Sequence, residues 1–252
     1  MNRRTAKPET TVVCGINAVA TLLERSAQRV VEVCLQDNLG AKRLGRIGPF
    51  LEQTAVTVTL VPVSKLDELA GTHRHQGVVA RIKGSAVLGE HEASDLLEQL
   101  ENPLVLVLDG IEDPHNFGAC LRSANAAGAD LVVTARSRNV GLTPTVSKVA
   151  SGAAEVQPLA QVANLARYMG TLRDLGVWLV GTDGGASQTI YNTDLRGPIG
   201  LVLGSEGRGI RRLTRESCDA IVSLPLLGTV ESLNVSVATG ICLYEAVRQR
   251  TT

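Results

Sequence analysis

The sequence predicts an α/β protein in two parts: a small amino-terminal α/β unit, and a longer unit in which helices cover a mostly parallel sheet. Three observations carry this. Runs of β-branched residues alternate with helical-period segments along the whole chain. A stretch without periodicity, rich in glycine, serine and charge, interrupts that alternation after residue 83. The length, 252 residues, exceeds one domain of ~100–200 residues. We therefore expect a domain at 1–83, a linker at 84–94 and a second domain at 95–252.

Each element follows from local pattern. After a polar tail, Met1–Thr11, the segment Cys14–Arg25 spaces Ile16, Val19, Ala20, Leu22 and Leu23 as on one helix face. The run Val30–Leu35 reads as a strand, Gly45–Thr54 as a weaker helix, and Val56–Val61 as a period-two strand. A short helix Ser64–Leu69, with Ser64 as its N-cap, and a strand Gly77–Ile82 complete the first unit. In the second unit, strands Leu104–Asp109, Leu131–Thr134, Val177–Thr182, Gly200–Gly204 and Ala220–Leu224 alternate with helices Phe117–Ala127, Pro144–Ser151, Leu165–Leu175 and Leu233–Gln249. Parallel sheets of this kind bind ligands at the carboxyl ends of their strands, where the glycine-rich turns of this sequence fall.

Composition narrows the function. Hydrophobic residues make up 44% of the chain and aromatics 2%, so the core must be aliphatic and alanine-rich, and the paucity of aromatics argues against a base-stacking platform. Net charge is zero, but its distribution is uneven. Through Lys83 there are 12 Lys and Arg against 7 Asp and Glu; beyond it there are 13 against 18. The basic first part is the expected contact with a polyanion. The five cysteines, Cys14, Cys34, Cys120, Cys218 and Cys242, lack zinc-ligand spacing and read as reduced thiols. No apolar run is long enough to span a membrane, and Met1–Thr11 has no signal-peptide core, so a cytoplasmic protein is expected.

Three segments carry candidate chemistry. In LDGIEDPHNFGACLRSA (108–124) a strand breaks at Asp109-Gly110 and re-enters a helix near Asn116, which suits an N-cap. Gly118 and Arg122 fall on one face, so Arg122 can reach back over a residue without a side chain, or be a solvated arginine. In LVLGSEGRGI (201–210) a strand ends in Gly204, Gly207 and Gly209 around Glu206, either as a tight connection or as a close approach for a ligand. This order is neither the dinucleotide fingerprint nor the Walker sequence. In LPLLGTVESLNVSVATGICLYEAVRQR (224–250) Ser232 and Asn234 open a helix, as caps or as substrate contacts. Its stripe of Val237, Gly240, Ile241 and Tyr244 suits close packing or a homodimer seam.

Together and in this order, DPHNFGACLRSA, LGSEGRG and SLNVSVATG closely resemble the three motifs of the SpoU family, within the SPOUT superfamily, of S-adenosylmethionine-dependent RNA 2′-O-methyltransferases. GINAVATLLE and HQGVVARI resemble the amino-terminal RNA-binding domain of the members that methylate a guanosine of 23S ribosomal RNA. The resemblance implies an amino-terminal domain similar to ribosomal protein L30, a catalytic domain with a carboxyl-terminal trefoil knot, and a homodimer with active sites at the subunit seam. It implies that Asn116, Arg122, Glu206, Ser232 and Asn234 are catalytic, that S-adenosylmethionine contacts Thr182, Gly184, Gly204, Leu224 and Leu233, and that no metal takes part. The expected substrate is a guanosine ribose in the loop of 23S RNA that touches peptidyl-tRNA. The alternatives are the same reaction on transfer RNA and a non-enzymatic RNA-binding assembly factor. In the basic unit, Arg25, Arg29, Lys42, Arg43, Arg46 and Arg74 are the candidates for phosphate contact. His75 and Gln76 are either a strand-edge pair or base readers. A guanidinium with pKa above ~12 is a poor base, so Arg122 is expected to orient and stabilise rather than to accept a proton.

Overall fold

The computed structural model describes residues 10–73, 75–83 and 87–251. The chain divides into two compact units, residues 1–86 and 87–252.

In the first unit a four-stranded sheet has the order β1-β4-β2-β3, comprising β1 (Thr10–Cys14), β2 (Val30–Gln36), β3 (Thr57–Val61) and β4 (Val78–Lys83). β4 runs antiparallel to both β1 and β2, and β2 pairs parallel with β3. Helix α1 (Ile16–Ser26) packs on the sheet and on α2 (Ala41–Glu52), and α3 (Val63–Ala70) buries Leu66 against Cys34 and Val79. Three expectations change. Part of the polar tail is strand β1, paired from Thr10↔Lys83 to Cys14↔Val79. The α2 helix starts earlier than expected and tolerates Pro49. Ser64 is not a cap, because Pro62 takes the N-cap position of α3 with no side-chain bond.

The second unit is a seven-stranded, all-parallel sheet of order β11-β9-β10-β6-β7-β8-β5. Its central strands are β6 (Leu104–Asp109), β7 (Leu131–Ala135), β9 (Trp178–Thr182) and β10 (Ile199–Gly204), with β5 (Val87–Leu88), β8 (Leu159–Val162) and β11 (Ala220–Val222) outside them. The pleat sends Leu104, Leu106 and Leu108 to one face, and Val105 and Val107 to the other. Both sets are buried, as expected for a parallel sheet covered on both sides. On the first face lie α5 (Pro114–Ala126), α6 (Pro144–Ala150), the single turn α7 (Ala153–Val156) and α10 (Val235–Thr251). On the second lie α4 (Glu90–Glu98) and α8 (Leu165–Asp174), with Tyr168, Met169 and Leu172. A last short helix, α9 (Arg212–Glu216), precedes β11.

The stretch 84–94 is more than a linker. Val87 and Leu88 form β5 against β8, and α4 begins at Glu90, which accepts a bond from the Ala163 backbone at 3.0 Å and pairs with Arg167. Glycine and charge concealed this because the strand has two residues and its partners lie far along the chain.

β6 and β10 end side by side, Asp109 opposite Gly204. The chain leaves β6 toward β7 and leaves β10 toward β11, on opposite sides. This topological switch point opens a crevice at the carboxyl ends of the strands.

Candidate active site

Three loops meet at that crevice. The first follows β6. Gly110 turns at φ 80° and Ile111 is pinned by its N–H to Oδ1 of Asn139 at 2.7 Å. Asp113, not Asn116, caps α5: its carboxylate accepts the His115 N–H at 3.0 Å, and Pro114 fills the first helical position. Proline needs no donor partner there, so the cap belongs one residue before it. Asn116 is thereby moved inside the first turn, with its side chain free for the crevice.

The second loop follows β10. A Cβ at Gly204 would lie 2.0 Å from the Gly209 carbonyl carbon and 2.2 Å from the Ile210 nitrogen, so the loop folds back on its own strand end. The close approach that glycine permits here is that of the chain itself. Gly207 and Gly209 take positive φ, and Ser205 bridges Gly209. Glu206 and Arg208 project from this turn into the crevice, exposed.

The third loop runs from β11 to α10. Asn234 is the helix cap: its Oδ1 accepts the Ser236 N–H at 2.9 Å and the Ser236 hydroxyl at 2.6 Å. Its Nδ2 then faces the other way, donating to Oδ1 of Asn116 at 2.9 Å and lying 3.5 Å from Oε2 of Glu206. Capping and site-facing roles coexist in one amide.

These loops enclose two adjoining clefts. The first, about 330 Å3, is lined by all five residues expected to contact a cofactor, Thr182, Gly184, Gly204, Leu224 and Leu233, together with Glu206, Glu231 and Ser232. Such a volume is in the range of small-molecule sites, ~300–1,000 Å3. Asp183 is held at its edge by Arg215 and by the Gly185 N–H at 2.8 Å. The second cleft is lined by Glu112, Asp113, Asn116, Glu206 and Arg208. Arg208 borders both, and the sequence patterns did not single it out.

Arg122 is not brought to the crevice. It is exposed on α5, outside both clefts. Gly118 does not clear a path for it: a Cβ there would meet the Val146 carbonyl and Val149 Cβ at 2.8 Å, so this glycine seats α5 against α6. On the far side α5 packs on α10 through Cys120 and Thr239, 3.4 Å apart and buried. The expected seam residues Val237 and Tyr244 of α10 are 51% and 52% exposed.

Among the RNA candidates, Lys42, Arg43 and Arg46 are exposed on α2, with Arg46 bonded to Asn17 at 2.9 Å. Arg29 is half-buried in the turn before β2, and burial lowers its pKa. Arg25 belongs to α1 by its backbone; its side chain, like Arg74 as a whole, lies outside the described residues. His75 and Gln76 are structural. The buried His75 accepts the Gly77 N–H at Nδ1 and faces Asp67 through Nε2, both at 3.0 Å. Gln76 takes the Ile16 N–H at 3.0 Å, which ties the start of α1 to the turn before β4.

Compared with known proteins, residues 103–244 match the SpoU rRNA Methylase family, and residues 12–87 match the family described as RNA 2′-O ribose methyltransferase substrate binding. The chain is 50% identical over 242 residues to the 23S rRNA (guanosine-2′-O-)-methyltransferase RlmB of Shewanella oneidensis, covering 95% of this chain and 97% of that one. It is 48% identical over 239 residues to the protein of the same name from Escherichia coli, covering 95% and 98%. Among solved structures, the SpoU methyltransferase AviRb from Streptomyces viridochromogenes in complex with the cofactor AdoMet superposes with TM-score 0.68 at 24% identity, covering 96% of this chain and 91% of that one. The A. aeolicus TrmH/SpoU tRNA modifying enzyme does so with TM-score 0.55 at 28% identity, covering 64% and 84%.

Proposed function

This chain belongs to the SpoU rRNA Methylase family, and we propose that it methylates the 2′-hydroxyl of a guanosine ribose in 23S ribosomal RNA, with S-adenosylmethionine as donor. The observation that carries this is the convergence of Asn116, Glu206 and Asn234 beside a cleft of about 330 Å3, in a chain half identical to proteins named for that reaction.

The cleft suits the donor. Leu203, Leu224, Leu226 and Leu233 offer an apolar bed for a purine, and Glu206 and Glu231 complement a sulfonium and an ammonium. Thr182, Gly184, Gly204, Leu224 and Leu233 would hold it. When bound, S-adenosylmethionine supplies an already activated methyl group.

The rest is done by the chain. Because Asn234 occupies Oδ1 of Asn116, Nδ2 is the group this amide has left to donate in the second cleft, which Asn116 lines. A fixed amide donor there stabilises negative charge growing on the ribose oxygen. Glu206 has its Oε2 beside Asn234, which leaves Oε1 to accept the hydroxyl proton. Ser232, lining the first cleft, holds the ribose edge.

Arg122 reaches the reacting centre from a second copy of the chain. The reading is supported by its exposure on α5, a helix that packs on α10, and by the half-exposure of Val237 and Tyr244 on α10. A homodimer packed on that face would put the guanidinium where a phosphate or alkoxide is stabilised. The segment from Ser223 to Asn234 is the portion threaded into the knot; the bonds of Ser223 to Gln188 and Ile190 across the 183–193 loop support this course. The exposed Lys42, Arg43 and Arg46 dock RNA phosphates. No described helix is long and apolar enough to cross a membrane, and we place the protein in the cytoplasm, with its substrate.

The test offers labelled cofactor with unmodified 23S RNA and transfer RNA side by side, then maps the methylated ribose. Methylation of one 23S guanosine is expected; label on transfer RNA alone, or on neither, overturns the proposal.

A further inference from the structure

A third cleft, of about 440 Å3, lies at the carboxyl ends of β7 and β8, across the 205–212 loop from the site. Its chemistry is the reverse of the first two. Those are lined by Asp113, Asp183, Glu112, Glu206 and Glu231 against one described arginine, Arg208; this one is lined by Arg138, Arg211 and Arg212, and no carboxylate is among its described lining residues.

Each arginine is placed differently. Arg211 is anchored by a buried carboxylate: Asp109 accepts its backbone N–H at 2.9 Å and lies 3.4 Å from its guanidinium. Among the described residues Arg212 is paired only with the exposed Glu216 of its own helix, at 2.8 Å, a contact that competes weakly with another anion. Arg138 has a backbone φ of 60°, a conformation that costs a non-glycine residue about 1 kcal/mol or more. The neighbouring Asn139 enforces it, bonding the Ala135 carbonyl on one side and the Ile111 N–H on the other. Among the described residues the Arg138 side chain is exposed and makes no hydrogen bond or ion pair. A strained, tethered residue presenting an unpaired charge is a reason to look for a ligand.

We infer that this cleft binds phosphodiester groups of the RNA strand that flank the target nucleotide. The inference rests on the reading of the site as an RNA methyltransferase. A ribose presented to Asn116 and Glu206 carries a phosphate on each side, and the excess of carboxylates over Arg208 in the first two clefts disfavours seating the flanking phosphates there. The arginine cleft on the same sheet edge receives them, and the Asn139 bonds to Ile111 tie its position to the loop that carries Asn116. Sequence charge concealed it, because the segment beyond Lys83 is acidic as a whole.

The test uses the full chain with Arg138→Asn, which tolerates positive φ, Arg212→Gln, and the two together. Binding of an unmodified 23S fragment is measured between about 50 and 200 mM salt, where phosphate contacts dominate the salt dependence. The double variant is expected to bind RNA roughly tenfold or more weakly, with the slope of log affinity against log salt smaller by roughly 0.7–0.9 for each arginine. Its kcat at saturating RNA and its affinity for S-adenosylhomocysteine are expected to match the parent. Unchanged affinity and slope overturn the inference, as does a parallel fall in cofactor affinity, which would make the arginines structural. If the parent chain binds RNA but transfers no methyl group, the functional proposal fails while the slope still reports on this cleft.

Discussion

Asn234 donates from Nδ2 to Oδ1 of Asn116 across 2.9 Å, while its own Oδ1 caps α10 through Ser236. The helix thus sets the polarity of two amides in series. Its terminal N–H fixes Asn234, and Asn234 occupies Oδ1 of Asn116, leaving that amide its Nδ2 as donor.

Replacing Asn234 by aspartate separates the two roles. Asp accepts from Ser236 as Asn does and suits a helix N-terminus, which offsets its repulsion of the exposed Glu206 carboxylate 3.5 Å away, so the unfolding midpoint is expected to fall less than in Asn234→Ala. It cannot donate to Asn116, and kcat is expected to fall by about 100-fold or more, the usual loss for one oriented donor. Asn234→Ala loses the cap as well, about 1 kcal/mol, and melts about 2–4 °C lower. Normal kcat in the aspartate variant would falsify the donor series.

The position of Arg122 gives a test of the assembly. If the chain forms the proposed homodimer and Arg122 serves the partner's site, mixing the Arg122→Ala protein with the Asn234→Ala protein yields mixed dimers in which one site has both groups intact. Random exchange then restores about one quarter of parental activity, since half the dimers are mixed and half of their sites are whole. With Arg122 acting in its own chain, no activity returns.

Gly204 and Gly207 look alike in the sequence and differ in the structure. A methyl group on Gly204 has no room between Gly209 and Ile210, whereas Gly207 has nothing within 4 Å and only its φ of 80° to satisfy. Gly204→Ala is expected to force the loop off the strand end and to weaken S-adenosylhomocysteine binding by at least tenfold. Gly207→Ala carries only the strain of positive φ, about 1 kcal/mol, with a correspondingly smaller effect. Calorimetry on both variants checks the order.

What could be read from the sequence was what local chemistry decides. β6 and β10 were plain because a parallel strand buried on both faces is a continuous aliphatic run. β1 was concealed in a polar tail because its pairing is with β4, some seventy residues on, from Thr10↔Lys83. The cap of α5 moved from Asn116 to Asp113 because proline at the first helical position outweighs the later asparagine. Gly118 and Arg122 share a face by spacing, but spacing does not say that α6 covers that face at Gly118. The basic cleft escaped notice because its three arginines come from the loop after β7 and from the start of α9, segments that tertiary structure alone brings together.

The cysteines of the catalytic unit give a prediction with a sign. Burial pushes the Cys120 thiol up to about 11 and those of Cys218 and Cys242 up to about 12, with Asp219 adding to the effect at Cys218. The thiolate is the reactive form, so at pH 8 these three are expected to resist a thiol reagent in the native protein, with all five cysteines reacting after denaturation. Because the folded state holds these protons more tightly than an unfolded chain with pKa near ~8.5, the stability they confer is complete below that pH. It declines as pH rises from there toward 11–12. The unfolding midpoint is therefore expected to fall between pH 8.5 and 11 more steeply than in a Cys218→Ala, Cys242→Ala variant measured alongside. Rapid labelling of Cys242 in the native protein at pH 8 would show that α10 opens away from the sheet, and would remove the basis for treating its cap residue Asn234 as fixed.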